Sequence, residues 1–345
     1  MKAPTLGSPK SSLYAKWLEE IAHQLGLELQ HQIPLSRYTA ARIGGRAEFL
    51  IEVNSSSKLK QLISHIWENE IPYVLLGGGS NVLISDEGLA GLVLINRARG
   101  RARVRFDFSD DPAIVWADAG VNLSHLARQA AELGLSGLEW ACGIPGTLGG
   151  AVVNNAGAFD GDMAGNLVMV TILHRKWDNN QVRAVQEQWT VAEMEYRYRS
   201  SRLKTYPNQA VVLSALLRLE RSDPIKIKTK MDEFNQRRRQ TQPPGASLGS
   251  MFKNPAGDFA GRLIEAAGLK GMTVGEAMIS PLHANFFINL GNASASDVWQ
   301  LIQLARQAVV AKFGIDLELE IQPLGNFPEL ASQTPIKSSI DVQNE

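Results

Sequence analysis

Tyr73-Val74-Leu75-Leu76-Gly77-Gly78-Gly79-Ser80-Asn81 is the stretch on which the reading of the fold turns. Its first four residues are apolar and predict a short buried strand. The strand opens into three glycines, which lack the Cβ that would keep a backbone away from a ligand. Successive N–H groups in such a turn converge into an anion-binding nest, and Ser80 and Asn81 add side-chain donors. A nicotinamide dinucleotide fingerprint is excluded by spacing: counted from Gly77, the third glycine of G-x-G-x-x-G falls on Val82, and no Walker lysine follows. A phosphate cradle of another kind and a plain tight turn both remain open.

Around this loop the pattern is β-α-β. Ala47–Val53 alternates like a strand, a helix is expected near Ser57–Asn69, and the unit closes by about residue 98. Before it, Leu13, Trp17, Ile21 and Leu25 recur every fourth residue and predict a helix stopped by Gly26. Arg97, Arg99, Arg101, Arg103 and Arg105 alternate at period two, the pattern of a solvated strand face. A second region, about 101–221, carries a helix near Leu123–Leu133 and strands near Val168–His174 and Ala210–Leu219. A third begins near Arg221 with a basic helix ending at Arg237-Arg238-Arg239. Helices Phe259–Ala267 and Val298–Phe313 follow, each stopped by a glycine. The polar stretch from Ser332 to Glu345 reads as a flexible tail.

Composition narrows the function classes. The 345 residues suit two or three domains, and 44% apolar with 20% charged residues is ordinary for a globular protein. Lys+Arg and Asp+Glu balance at 35 each, so no bulk charge draws the chain to nucleic acid or to a membrane. The single cysteine, Cys142, excludes a disulfide framework and is expected to be a small buried filler. The polar start and the lack of a long apolar run predict a cytoplasmic protein.

A second glycine-rich segment runs from Cys142 through Gly143-Ile144-Pro145-Gly146-Thr147-Leu148-Gly149-Gly150-Ala151 to Asn155-Ala156-Gly157. It reads as a poor helix or strand, and as small-residue backbone threaded past a large flat ligand or simply as a structural loop. Two such loops in neighbouring regions are what a long two-ended cofactor requires. Neither clustered His, paired Cys, H-E-x-x-H nor G-x-S-x-G is present, so no metal site or serine-hydrolase elbow is expected. His283 reads as a structural, hydrogen-bonded histidine. Tyr196–Arg202 mixes aromatics with arginines, which suits an anionic ligand or an amphipathic surface. Gly249–Pro255 sets a serine after a glycine, then a lysine and an asparagine. Ile315–Ile321 alternates strictly, predicting a strand with Asp316, Glu318 and Glu320 on one face, and periodicity does not single out Glu320.

In order and spacing, Tyr38-Thr39 with Arg42–Gly45, Gly77–Asn81, Gly143–Gly157, Tyr198-Arg199-Ser200, Gly249–Pro255 and Leu317–Ile321 resemble the UDP-N-acetylenolpyruvoylglucosamine reductase (MurB) family over about residues 15–325. The resemblance implies an α+β protein with a two-part FAD-binding region of vanillyl-alcohol-oxidase (PCMH) type and a C-terminal α+β substrate-binding domain. The expected boundaries are a tail to residue 14, FAD subdomains 15–100 and 101–221, a substrate domain 222–327, and a tail 328–345. It further implies a monomeric enzyme of peptidoglycan precursor synthesis acting on a small molecule, with no nucleic-acid or membrane partner and no metal.

FAD would be held by Tyr38, Thr39, Arg42, Gly77, Gly78, Gly79, Ser80 and Asn81. Its other contacts would come from Ile144, Pro145, Gly146, Thr147, Gly149, Gly150, Ala151, Asn155 and Gly157. NADPH would reduce the flavin as co-substrate. Hydride from the flavin would then reach the enolpyruvyl group, with Ser250 as proton donor and Arg199 and Glu320 stabilising the enolate. Tyr198, Lys253 and Asn254 would contact substrate. A carboxylate beside an enolate repels it if ionised, so Glu320 is expected to be protonated or to act through a hydrogen bond. Two other classes stay open: an FAD-dependent oxidase of the same fold, and a flavin-binding module without turnover.

Overall fold

The computed structural model describes residues 9–98, 104–109, 112–179 and 181–328. Arg99, Arg101, Arg103 and the C-terminal tail lie outside them. Of the arginine stripe, Arg97 pairs with Glu52 at 3.4 Å and lies over Tyr38, while Arg105 lies 4.4 Å from the Trp116 ring.

The first lobe holds α1 (Pro9–Gln24), β1 (Leu29–Pro34), β2 (Arg46–Val53), α2 (Ser56–Glu68), β3 (Tyr73–Leu76), β4 (Val82–Ile84) and β5 (Leu89–Asn96). Its sheet runs β1-β2-β5-β3, with β2, β5 and β3 parallel. α2 starts where the Ser55 side chain accepts from the Lys58 N–H. Its Leu59, Leu62, Ile63, Ile66 and Trp67, spaced three and four apart, form one buried face. That face makes α2 the cover of the parallel sheet, and β3 delivers the glycine loop from the sheet's end.

The second lobe contains β6 (Val104–Asp107), β7 (Ala113–Asp118), α3 (Leu123–Glu132), β8 (Leu135–Ser136), α4 (Leu148–Asn154), β9 (Gly157–Ala158) and β10 (Gly161–Asp162). α5 (Met163–Asn166), β11 (Leu167–Asp178), β12 (Gln181–Thr190), α6 (Arg202–Thr205) and β13 (Ala210–Arg221) follow. An antiparallel sheet, β12-β11-β13-β7-β6, carries its core. The glycine segment, expected to be neither helix nor strand, instead contains α4. Thr147 caps it, Leu148, Ala151 and Val152 bury one face, and Asn155 stops it in the left-handed conformation. Packing of that face outweighs the low helix propensity of Gly149 and Gly150. Cys142 is buried in the same core, and burial raises its thiol pKa. α7 (Pro224–Thr241) also contributes Ile227 and Met231 to this core, and its Arg237 and Arg238 lie over the Phe159 ring.

The third unit contains β14 (Ala246–Ser250), α8 (Ala260–Ala266), β15 (Thr273–Val274), β16 (Ala277–Ile279), β17 (Phe286–Asn289), α9 (Ala295–Phe313) and β18 (Gln322–Leu324). Its sheet order is β14-β17-β16-β15, covered by α8 and α9. α9 opens on a Ser294/Asp297 capping box and closes on Gly314 in the left-handed region. The strand expected over Ile315–Ile321 does not form. Only Leu319 makes a bridge, to Phe252, and regular pairing begins at β18, which runs parallel to β4. The chain here leaves one partner, residues 251–253, for another in the first lobe, so the alternation buries Leu317 and Ile321 without a continuous ladder.

The third unit is bolted to the first lobe. Both Asp86 carboxylate oxygens accept N–H groups opening α9, at 2.7 Å from Ala295 and 2.9 Å from Ser296, and Asn289 Nδ2 donates to the Ala41 carbonyl. Ala41, Ile43 and Leu83 of the first lobe enter the third core. Among the described residues no helix is long and apolar enough to cross a membrane, and no group of three or more His, Cys, Asp or Glu is placed to hold a metal.

Candidate active site

The two glycine segments meet face to face. Ser80 Oγ donates to the Pro145 carbonyl at 3.2 Å, and Ala40 N–H donates to the Gly79 carbonyl. A Cβ on Gly78 would lie 2.7 Å from Gly146 Cα, inside contact distance, and Gly79 has φ +59°. Glycine is therefore required by backbone-against-backbone packing as much as by any ligand. The surface left at the seam is peptide backbone and small hydroxyls, a chemistry that fits the pyrophosphate of FAD. We expect Gly78→Ala to lower bound flavin and to cost about 1–3 kcal/mol, the usual range for overpacking. Absorbance per mole and urea unfolding check this; an unchanged flavin content would separate the seam from the cofactor.

Several side chains expected on the cofactor are held by the chain itself. Thr39 is buried and both donates to and accepts from Ile43. Tyr38 donates its hydroxyl to Glu52 at 2.7 Å, and Arg42 is exposed with φ +57°. Asn155 is used on every side: its Oδ1 accepts from Ala164 N–H, and its Nδ2 donates to the Arg197 carbonyl and to Asp162. Thr147 Oγ1 accepts the Gly150 N–H, and Gly149 N–H donates to the Ala119 carbonyl. Ile144 packs on the second core, whereas Ala151 is itself part of it.

Asn81 carries the link from this seam to the chemistry. Its Nδ2 donates to the Glu320 carbonyl at 3.1 Å, and its own carbonyl accepts the Gln322 N–H. The loop after β3 thus grips the backbone of Glu320 across 239 positions of sequence. On the other side, Glu320 N–H donates to the Met251 carbonyl and Lys253 N–H to the Glu318 carbonyl. These bonds set Glu320 alongside the end of β14, where half-buried Ser250 stands. Asn285, buried, fixes that strand end by accepting from Phe252 N–H and donating to the Phe252 carbonyl.

Arg199 reaches the same place from the second lobe. Its Nε donates to Glu320 Oε1 at 2.8 Å and its Nη2 to the Gly157 carbonyl at 2.7 Å. Burial pushes the Glu320 carboxyl above the usual glutamate range; the guanidinium of Arg199, with Lys204 and Lys253, pulls downward without offsetting it. Tyr198 is exposed beside the Arg199 guanidinium, 5.4 Å from ring centroid to Cζ. Lys253 pairs with Glu318, and Asn254 Oδ1 accepts the Ala260 N–H at the start of α8. The structure therefore gathers Arg199, Glu320, the Ser250 strand end and Asn81.

Lys204 and Asn285 were not legible as site residues. Lys204 had one available signal, a lysine five positions after Arg199; Asn285 stands two residues after His283, which drew attention instead. His283 is structural: its Nδ1 accepts the Asn285 N–H, and burial lowers its pKa.

Two family models match the chain. "FAD binding domain" covers residues 47–175, and "UDP-N-acetylenolpyruvoylglucosamine reductase, C-terminal domain" covers 240–324. The UDP-N-acetylenolpyruvoylglucosamine reductase of Chloroflexus aggregans is 40% identical over 301 residues, 86% of this chain and 98% of that one. The chain belongs to this reductase family. The Caldicellulosiruptor bescii reductase is 41% identical, covering 92% of this chain and 96% of its own. The crystal structure of the MurB reductase from Thermus caldophilus superposes with a TM-score of 0.69 at 35% identity, over 87% of this chain and 99% of that one. The expected α+β architecture, an FAD-binding region followed by the family's C-terminal domain, is borne out.

Proposed function

We propose that this chain is an FAD-dependent reductase that converts UDP-N-acetylglucosamine enolpyruvate to UDP-N-acetylmuramate with NADPH as reductant. The observation that carries the reading is the Arg199–Glu320 pair, half-buried between the second lobe and the third unit, beside Ser250 and tied by Asn81 to the glycine seam. We assign residues 15–100 and 101–221 to flavin binding and 222–327 to substrate, with α7 returning to pack on the second lobe.

When bound, FAD supplies hydride to the vinyl carbon remote from the ether oxygen. The protein's part is to manage the charge that follows. Negative charge develops on the substrate carboxylate as an enolate, and a fixed guanidinium aimed there is worth about 3 kcal/mol in a dry site. Glu320 in its protonated form donates a hydrogen bond to that oxygen while its other oxygen accepts from Arg199. Ser250 then gives its proton to the carbon bearing the ether. A serine is a weak acid, but an enolate carbon is a strong base and close placement suffices. Lys253, Tyr198 and Asn254 are offered to the anionic and sugar parts of the substrate.

The assigned activity is tested by the product. NADPH oxidation should depend on the enolpyruvyl substrate, and the product should be heavier by two hydrogens. NADPH oxidation equal with and without substrate would point to an oxidase and reject the assignment.

The pH dependence has a definite sign. A carboxyl with a raised folded-state pKa contributes its full stabilisation below the ordinary glutamate pKa, and loses it as pH rises through the folded value. The stability of the wild type minus that of Glu320→Gln, from urea unfolding, should therefore fall as pH rises through that window. A flat or rising difference would mean that Glu320 is ionised in the folded protein.

A further inference from the structure

Arg199 occupies an unfavourable backbone position. The turn Arg197–Ser200 is closed by Ser200 N–H on the Arg197 carbonyl and by Arg197 N–H on the Ser200 carbonyl, both at 3.1 Å. Arg199 is its second central residue, with φ +54°, where glycine or asparagine is usual. A long side chain there is strained and persists only if its surroundings hold it. Two of those restraints grip the guanidinium, Gly157 and Glu320. The backbone needs its own.

Lys204 supplies it. It lies on α6, one turn capped by Ser201, whose hydroxyl donates to the Val153 carbonyl at 2.6 Å and accepts the Lys204 N–H at 3.3 Å. From this anchored turn the Lys204 ammonium reaches back and donates to the Arg199 carbonyl at 3.1 Å. The ammonium sits among the charges of the site: Lys253 and Arg199 on the positive side, Glu320 and Glu318 on the negative. It is half-buried, where a charged hydrogen bond to a carbonyl is stronger than on the surface.

We propose that Lys204 is a positioning residue: its ammonium pins the Arg199 carbonyl in the left-handed turn and so aims the guanidinium between Gly157 and Glu320. The inference rests on the role given above to Arg199. Its ammonium also adds positive charge beside Glu320, drawing that carboxyl toward ionisation.

The test compares Lys204→Met and Lys204→Arg with wild type and with Arg199→Lys, all as flavin-loaded full chains. Lys204→Met should keep its flavin content and its rate of bleaching by NADPH. Its kcat on the enolpyruvyl substrate should fall about 10–100-fold, the scale of an ångström of misplacement, with KM changed less than kcat. The Arg199 Nε–H resonance in a nitrogen-15 NMR spectrum should shift, and the pH limb attributed to Glu320 should move upward. Lys204→Arg should restore most of kcat, because it keeps a donor for the carbonyl. An unchanged kcat and resonance in Lys204→Met would overturn the proposal. So would a rise in KM alone, the mark of a residue that merely binds substrate, or loss of flavin in Lys204→Met without rescue by arginine. If Arg199→Lys turns over normally, charge without aim suffices at position 199 and the positioning proposal is overturned with it; if only Arg199→Lys is slow, positioning by Lys204 falls while the role of Arg199 stands.

Discussion

Ser250→Ala is expected to bleach with NADPH as the wild type does, yet to lose turnover with the enolpyruvyl substrate by about 10²–10⁴-fold, the usual worth of a positioned general acid. The half-reactions separate because the serine hydroxyl is needed only after hydride has reached the substrate. Ser250 ends β14, and its backbone pairs with Phe286 of β17, so the side chain can be removed without disturbing the strand. Neighbouring Met251 and Phe252 are fully buried and fix the strand end independently of it. Anaerobic stopped-flow spectroscopy reads both halves in one sample. Near-normal reoxidation by the substrate would remove Ser250 from the chemistry; slowed bleaching by NADPH would show that the substitution had damaged the flavin site.

The second large effect belongs to Arg199. Arg199→Met should lower kcat by about 10²–10³-fold, the loss seen when one donor to a developing oxyanion is removed. It also leaves the half-buried Glu320 carboxyl and the Gly157 carbonyl without the Arg199 donor, so a stability loss of about 1–3 kcal/mol should accompany it. Arg199→Lys separates charge from geometry. A lysine restores the positive charge but not the fork that spans Gly157 and Glu320, and should recover only part of kcat. Full recovery would mean that charge alone is used at this position. Steady-state kinetics and urea unfolding on the flavin-loaded variants give both answers.

Much of this architecture was legible because it is written locally. The glycine loop announced itself through four apolar residues opening into three glycines, and α9 through the glycine that stops it. α4 was not legible, since Gly149 and Gly150 argue against a helix and the burial of Leu148 and Val152 that favours one comes from distant strands. The Ile315–Ile321 alternation was real as a burial pattern but misleading as a ladder, because the segment changes partners midway.

The site divided the same way. Periodicity did not distinguish Glu320 from Asp316 and Glu318; the distinction lies in Arg199, 121 positions earlier, and in the grip of Asn81 on its carbonyl. Family resemblance named these residues without giving that reason. Thr39 and Asn155 show the converse, side chains expected on a ligand whose hydrogen bonds the fold itself uses. Lys204 carries no motif that would mark it, and its meaning appears only once Arg199 is seen in a left-handed turn.

In the proposed function the glycine seam holds a flavin whose electrons pass to an enolpyruvyl sugar nucleotide beside Arg199, Ser250 and Glu320. The most direct measurement is an anaerobic titration of the purified, flavin-loaded chain: bleach with one equivalent of NADPH, remove excess reductant, then add UDP-N-acetylglucosamine enolpyruvate. Return of the oxidised flavin spectrum, with one UDP-N-acetylmuramate formed per flavin, is the predicted result. A flavin that stays reduced until oxygen is admitted would contradict the account.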